Sequence, residues 1–561
     1  ERQLKNDSIV LCSFGDASVN HSTALSAFNV AIWIRSKGGH VPITFICEDN
    51  GTGISVPTDE NWIKQNFKNR KGLNYIQTDG LHLIDLLIKS RQAEYDCRIN
   101  RSPVFLHMKT VRLMGHAGSD VESGYKSLSD IESTEFNDPL LHSARILIEN
   151  RCLSAEDILS IYKLSRQQVN HVFDLTVLKP KLETSSEVMA SIVTSKSSGL
   201  LPKKATSNAR KNLFGKEFDR LSQPQHMAKL INYCLSDIML RFKNTIIFGE
   251  DVAQKGGVYN VTANLYKQFG VRRVFNSPLD ETSIIGFGIG FAHNGFVPIP
   301  EIQFLAYIHN AEDQLRGEAA TLSFFSKGNF TNPMVLRVPG LAYQKGFGGH
   351  FHNDNSLTIF RDIPGLILAV PSNGADAVKM FRTAIREAHE KGRVVIFIEP
   401  IALYMTKDLH KPKDRKWSFK YPPLNDEIPV GKFATYGNGK ALIIITYGNG
   451  LYLSLQAKKD IEKKSKKKIT VIDLRWLSDI DIPKLLKTIG NCKNILIVDE
   501  CRRTGCHGEG LLVQLVENAK KTINVKLYAA DDSFISLGFA ATVTLPRKEA
   551  IVEFSLELMN V

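Results

Sequence analysis

Short runs of β-branched and aromatic residues alternate along this chain with stretches whose apolar positions recur every three or four residues. That rhythm belongs to α/β domains with parallel sheets. In the first block, residues 9–14, 43–47 and 104–108 read as buried strands, and 22–34 and 155–164 carry the helical period. From 178 to 222 the rhythm dissolves into Ser, Thr, Lys and Pro, including Thr194-Ser195-Lys196-Ser197-Ser198-Gly199, which predicts a linker. A second block opens with a helix over 226–242 and carries strands at 245–248, 334–338, 365–370 and 394–398. After a Pro-rich crossing at 412–429, a third block has strands at 441–446, 469–474, 494–498 and 524–528. The expected division is therefore 1–177, 178–222 (the linker), 223–425 and 426–561.

Composition changes this picture little. A chain of 561 residues is too long for one hydrophobic core, and 43% hydrophobic with 23% charged residues is ordinary for globular protein. No stretch approaches the ~20 apolar residues of a membrane span, so no membrane partner is expected. The polar opening, without an initiator Met or a leader pattern, suggests a piece of a longer protein whose N-terminal structure is missing. Eight scattered cysteines fit a reducing, cytoplasmic setting; Cys12, Cys47 and Cys234 fall inside apolar runs, as small hydrophobes do. Cys501, Cys506 and His507 are close together but lack a second ligand pair, so a structural use is expected. The net charge of +13 is local: Lys203, Lys204, Arg210, Lys211 and Lys216 in the linker, and a lysine cluster over 458–468 near a helix end. No aromatic side chains interleave with these as stacking platforms, so a solvated face or a dock for an acidic partner is expected, and no nucleic acid.

The candidate chemistry begins where strands end. The first strand runs into Gly15-Asp16-Ala17-Ser18 and the next into Glu48-Asp49-Asn50-Gly51-Thr52. Glycine admits a tight turn, and a carboxylate at the C-terminal edge of a parallel sheet faces the crevice where such sheets bind ligands. Asp16 and Asn50 offer hard oxygens of the kind Mg²⁺ takes alongside phosphate oxygens and water. A plainer reading stays open for either pair alone, with Asp16 capping the next helix and Asn50-Gly51 making a turn.

Order and position narrow the choice. A Gly-Asp turn followed by an Asn after the next apolar strand resembles the diphosphate-binding motif of thiamine-diphosphate enzymes. Farther on, Val111-Arg112-Leu113-Met114-Gly115-His116-Ala117-Gly118-Ser119-Asp120 resembles the α-subunit loop that closes over the cofactor in 2-oxo acid dehydrogenases. The second block holds Gly249-Glu250-Asp251-Val252, Gly256-Gly257-Val258-Tyr259 and Arg273-Val274-Phe275-Asn276-Ser277-Pro278-Leu279-Asp280-Glu281, then Pro300-Glu301-Ile302-Gln303-Phe304-Leu305-Ala306-Tyr307. A Gly-rich segment follows, Gly346-Phe347-Gly348-Gly349-His350-Phe351-His352-Asn353-Asp354. These runs resemble the β subunits of branched-chain and pyruvate dehydrogenases. Ile472-Asp473-Leu474-Arg475-Trp476-Leu477 and Val498-Asp499-Glu500 resemble the C-terminal domain that β subunits share with transketolases. The chain is thus similar to the decarboxylating component of a 2-oxo acid dehydrogenase complex, with α and β subunits fused into one polypeptide.

The resemblance implies a fold: two thiamine-diphosphate-binding parallel-sheet domains plus a transketolase-like C-terminal α/β domain. It also implies roles. Asp16 and Asn50 bind Mg²⁺ by side chains and Thr52 by its backbone carbonyl, while Gly15, Ala17 and Ser18 complete the diphosphate turn. Arg112 and His116 face the diphosphate, where a guanidinium gives a fixed fork of donors and an imidazole a proton. Glu281 contacts the aminopyrimidine ring and handles its proton, Tyr307 packs against that ring, and His352 acts in acid–base steps near the substrate, with His350 a weaker candidate. Glu281 also suits the plain role of an acid in the first turn of a helix. Three departures stand out. Ala17 and Asp49 replace the Gly and first Asn frequent in the family, and the motif is lengthened around Lys37-Gly38-Gly39-His40. Animal relatives carry a regulatory phosphoserine after this His; with Ala117 in that position, such control is not expected here.

The implied reaction is oxidative decarboxylation of a 2-oxo acid, with the acyl group passed to the lipoyl arm of a dihydrolipoamide acyltransferase. Phe275-Asn276-Ser277-Pro278-Leu279 and Glu301-Ile302-Gln303-Phe304 lean towards branched-chain substrates such as 3-methyl-2-oxobutanoate, with pyruvate second. The fused chain is expected to form a homodimer. A transketolase-like transferase shares the domain order and cofactor and remains the rival reading; it would transfer glycolaldehyde without any lipoyl requirement.

Overall fold

The computed structural model describes residues 7–193, 201–344 and 348–561. Residues 1–6, the low-complexity run 194–199 with Leu200, and Lys345, Gly346 and Phe347 of the Gly-rich segment lie outside the described residues. The chain divides into two compact units, Glu1–Leu182 and Glu183–Val561. Among the described residues no helix is long and apolar enough to cross a membrane.

The first unit is built on four parallel strands, β1 (Val10–Gly15), β2 (Ile43–Asp49), β3 (Asn74–Asp79) and β4 (Val104–Lys109), in the order β1-β2-β4-β3. Interior β4 opens Val-Phe-Leu because both its faces are covered. Aromatic rings fill one face: Phe28 of the helix Ser22–Ser36 meets Phe45 edge-on at 4.8 Å, and Phe67 stacks on Phe105 at 4.3 Å. The expectation of a buried strand at 9–14 is corrected. Among the described residues β1 is an edge strand bonded only to β2, and Val10 and Leu11 are 56% and 64% exposed. Cys12 is exposed with them, whereas Cys47 and Cys234 are buried as small hydrophobes. The helix expected at 155–164 continues as Ala155–Val177 from a Ser154–Asp157 capping box, and buries no residue.

The second unit holds two sheets. Six parallel strands, β5 (Thr245–Gly249), β6 (Val274–Asn276), β7 (Val297–Glu301), β8 (Met334–Gly340), β9 (Ile367–Ala369) and β10 (Val394–Pro400), run in the order β9-β10-β8-β7-β5-β6. Five more, β11 (Ala434–Tyr436), β12 (Ile443–Thr446), β13 (Thr470–Asp473), β14 (Asn494–Arg502) and β15 (Asn524–Ala530), run β11-β13-β12-β14-β15, with only β11 antiparallel. One apolar cluster spans both, from Ile246 and Leu336 to Ile445 and Ile497. The architecture is the expected α/β one, with parallel sheets in succession. Within 178–222 the structure differs from a plain linker: Ser207–Phe214 is helical, Phe214 is buried, and Arg210 pairs with Asp237 through two bonds of 2.7 and 2.8 Å. That arginine is therefore not part of a solvated basic face.

Beneath the C-terminal edge of the six-stranded sheet, Arg337 of β8 is fully buried between Glu301 of β7 and Glu399 of β10. Glu399 receives two guanidinium bonds, at 2.7 and 2.8 Å, and a further bond from Tyr404. Removing one partner of a buried ion pair strands the others without compensation. Arg337→Met should therefore destabilise the second unit by about 3–5 kcal/mol. The check is a guanidinium unfolding midpoint, which should fall clearly below that of the wild type.

Candidate active site

At the C-terminal edge of the first sheet, β1 and β2 end side by side, with Gly15 paired to Glu48. Asp16 opens the 3₁₀ helix Asp16–Asn20 and is 1% exposed, yet among the described residues its Oδ2 has no hydrogen-bond partner. A buried carboxylate oxygen without a donor calls for a cation or a proton. Gly15 is in ordinary extended conformation (φ −77°), so the turn does not rest on glycine's freedom as expected; the 3₁₀ helix makes it. Nor does Asp16 cap the next helix, because His21 does, with Nδ1 accepting from the Thr23 N–H at 3.2 Å.

β2 ends at Asp49, and the Asn50 that follows it has a different commitment. Asp49 is buried: Oδ2 bonds His107 Nε2 at 2.7 Å and Lys109 Nζ at 2.6 Å, while Oδ1 accepts from the Gly51 N–H at 3.1 Å. Burial works against its charge, but the bonds to His107 and Lys109 prevail and hold the carboxyl at about 2. Asn50 makes the plain turn, its Oδ1 accepting from the Thr52 N–H at 3.1 Å, and that oxygen keeps a second lone pair. The Thr52–Gly53 segment packs on the Asp16–Asn20 turn so closely that a Cβ on Gly53 would fall 2.5 Å from that of Ala17. The glycine missing at 17 is compensated at 53. Ser18 is exposed.

Arg112 and His116 follow β4 at the same edge. Arg112 donates from Nη2 to the Tyr125 hydroxyl at 3.0 Å, and its Nε is buried without a partner among the described residues. Asp120 closes this loop by accepting from the His116 N–H at 2.6 Å and the Tyr125 hydroxyl at 2.8 Å, bonds that hold its carboxyl below the usual range. The His116 ring is exposed.

In the second unit another set gathers at the ends of β5 to β8. Glu281 is the first residue of the helix Glu281–His293, so the plain first-turn role is real, but it is also 7% exposed and accepts from Asn310 Nδ2 at 3.3 Å. Tyr307 lies on the 3₁₀ helix Leu305–Ala311 that carries Asn310. Burial, then the Glu281 and Glu250 charges, push its hydroxyl up. His352 donates from Nδ1 to the Gly348 carbonyl at 3.2 Å, leaving Nε2 as the acceptor of the neutral ring. Its ring meets Phe304 at 4.6 Å and Tyr307 at 6.3 Å. Gly348 has φ +71°, and a Cβ there would lie 2.0 Å from His352 Nδ1, so only glycine fits. The backbone that leads here is strained at Leu341 (φ 67°) and Tyr343 (φ 71°), as functional loops often are.

Sequence reasoning quoted Glu250 within a motif but gave it no role. Its Oε1 is buried without a partner among the described residues, and its carboxyl is pushed up to about 7, first by burial and then by the charges of Glu281, Asp251, Glu301 and Asp280. Asn310 and Asp354 were missed as well. The expected residues thus form two sets, Asp16, Ala17, Asn50, Thr52, Arg112 and His116 in one unit, and Glu281, Tyr307 and His352 in the other. Among the described residues no three His, Cys, Asp or Glu side chains group as a metal site, Cys501, Cys506 and His507 included.

Three family descriptions match the chain in succession: "Dehydrogenase E1 component" over residues 1–185, "Transketolase, pyrimidine binding domain" over 223–406, and "Transketolase, C-terminal domain" over 431–531. The pyruvate dehydrogenase E1 component subunit beta of Staphylococcus epidermidis is 31% identical over 334 residues, 58% of this chain and 96% of that protein. The chain belongs to the 2-oxo acid dehydrogenase E1 family. The corresponding protein of Staphylococcus aureus is 31% identical over 341 residues, 60% of this E1 chain and 98% of its own length. As the sequence resemblance implied, this is a thiamine-diphosphate-dependent E1 with α-like and β-like parts in one polypeptide.

Proposed function

We propose that this E1 chain decarboxylates a branched-chain 2-oxo acid with thiamine diphosphate and Mg²⁺, and transfers the acyl group to the lipoyl arm of a partner acyltransferase. The observation that carries the cofactor part of this reading is the buried Oδ2 of Asp16, without a donor among the described residues, at the sheet edge where β1 and β2 end. An oxygen in that state fits a cation-anchored diphosphate. Asp16 and Asn50 would hold Mg²⁺ by their side-chain oxygens and Thr52 by its carbonyl, the hard oxygen donors this cation takes. Gly15, Ala17 and Ser18 shape the turn, and Arg112 and His116 answer the remaining diphosphate charge. Thiamine diphosphate, when bound, supplies the electron sink that takes up the electron pair released with CO₂. Glu281 holds and returns a proton at the pyrimidine ring nitrogen, while Tyr307 packs on that ring. His352 Nε2 takes or gives a proton at the substrate. Residues 1–177 serve the diphosphate, 223–425 the pyrimidine, and 426–561 dimerisation and docking, with the chain acting as a homodimer.

The test is a substrate comparison with an artificial electron acceptor. The branched 3-methyl-2-oxobutanoate should exceed pyruvate and 2-oxoglutarate in kcat/KM by about tenfold or more, the order that one to two methylenes in a pocket provide. Preference for pyruvate is the second reading, favoured by the pyruvate dehydrogenase relatives, and that result would displace the branched-chain assignment.

A further inference from the structure

We propose that Asp354 is a positioning residue for His352, holding the loop 348–356 in register through charge contacts with His309, His350 and Arg502. The inference rests on the role proposed above for His352.

Asp354 lies two residues beyond His352 and is 1% exposed. A carboxylate so placed stays charged only among compensating groups. Three converge on it. Arg502, the last residue of β14, approaches Oδ1 with Nη1 at 3.3 Å. His309 faces Oδ2 with Nε2 at 3.8 Å, and His350 faces Oδ1 with Nδ1 at 3.9 Å. Both imidazole distances exceed hydrogen-bond reach, so these contacts are through-space attractions.

The partners belong to different parts of the second unit. His309 shares the 3₁₀ helix Leu305–Ala311 with Tyr307 and Asn310, the residues beside Glu281. Arg502 belongs to the C-terminal sheet, and His350 to the loop itself. Neutral ties flank the charged one: Asn353 Oδ1 accepts from the Gln344 N–H at 3.0 Å, and Asn355 Nδ2 donates to the Glu500 carbonyl at 2.7 Å. Asp354 thus fixes the height of His352 above the helix that bears Tyr307. A misplacement of about 1 Å at a reacting group costs on the order of 100-fold in rate.

The contact depends on pH. Asp354 raises the proton affinity of His309, supported by Glu312 and opposed by burial and Arg502. For Asp354, burial favours the neutral acid, but His309, Arg502 and His350 together hold its carboxyl below the usual range. The His309–Asp354 attraction is therefore complete below the ordinary histidine value and fades as pH rises through the elevated one.

The experiment measures kcat and KM for 2-oxo acid decarboxylation by the whole chain from pH 6 to 8.5, for wild type, Asp354→Asn and His309→Gln. His309 is half exposed, so its variant keeps the fold should Asp354→Asn fail to. Asp354→Asn should lower kcat by roughly 10–100-fold with KM changed by less than about threefold. His309→Gln should fall several-fold below wild type near pH 6, and the gap should narrow as pH rises and wild-type His309 gives up its proton. A purely structural part for His309 would give a ratio that does not vary with pH. Active wild type with both variants indistinguishable from it, or a flat His309→Gln ratio, overturns the inference. Wild type inactive on every 2-oxo acid removes the role of His352, and the inference falls with it.

Discussion

Glu281→Gln should lower 2-oxo acid decarboxylation by about 10²–10⁴-fold while thiamine diphosphate binding stays within about twofold of wild type. Glutamine preserves the shape of a side chain that is 7% exposed at the head of a helix, and its carbonyl can still accept from Asn310. It cannot exchange a proton with a ring nitrogen. The loss should therefore fall on kcat, with KM little changed, the pattern of an interaction needed only along the reaction path. Steady-state kinetics with a direct cofactor titration separate the two effects. Equal loss of binding and rate would instead assign Glu281 a purely structural place.

The second large effect is expected in the other unit. Asp16→Asn should weaken thiamine diphosphate binding in the presence of Mg²⁺ by at least about 100-fold, since even residues that merely support metal ligands cost 10–100-fold. Because Oδ2 of Asp16 has no hydrogen-bond partner among the described residues, the variant loses none of the bonds seen there, and the sheet edge should remain folded. The amide removes the negative charge and can turn an N–H₂ towards the cation. Isothermal titration of thiamine diphosphate with Mg²⁺, and again with a chelator, provides the check. Wild type in chelator should match the variant, and an unchanged affinity in Asp16→Asn would remove the cation from that place.

Much of this was legible because buried parallel strands read as apolar runs. β2, β4, β8 and β10 all begin on the predicted residue. β1 has the same composition but only one neighbour, and no local pattern distinguishes an edge strand from an interior one when neither face is polar. β3, Asn-Tyr-Ile-Gln-Thr-Asp, was missed because its polar residues mask the run. The helix 207–214 hid among Ser, Lys and Arg, although the Thr206 cap was a readable signal. At the site, Asp16, Asn50, Glu281 and His352 could be named because the runs that hold them resemble the family's motifs. Glu250 and Asp354 could not be given roles. Their state depends on carboxylates or basic groups brought in from distant parts of the chain, such as Glu281 and Glu301 for one and His309 and Arg502 for the other. Residue spacing carries no trace of that convergence.

The most direct test of the central claim is release of labelled CO₂ from a 1-¹⁴C-labelled 2-oxo acid by the wild-type chain, with thiamine diphosphate and Mg²⁺ added singly and together. Release that requires both additions is the predicted result. Release indifferent to the cofactor, or none from any 2-oxo acid once the cofactor is shown to bind, would contradict it.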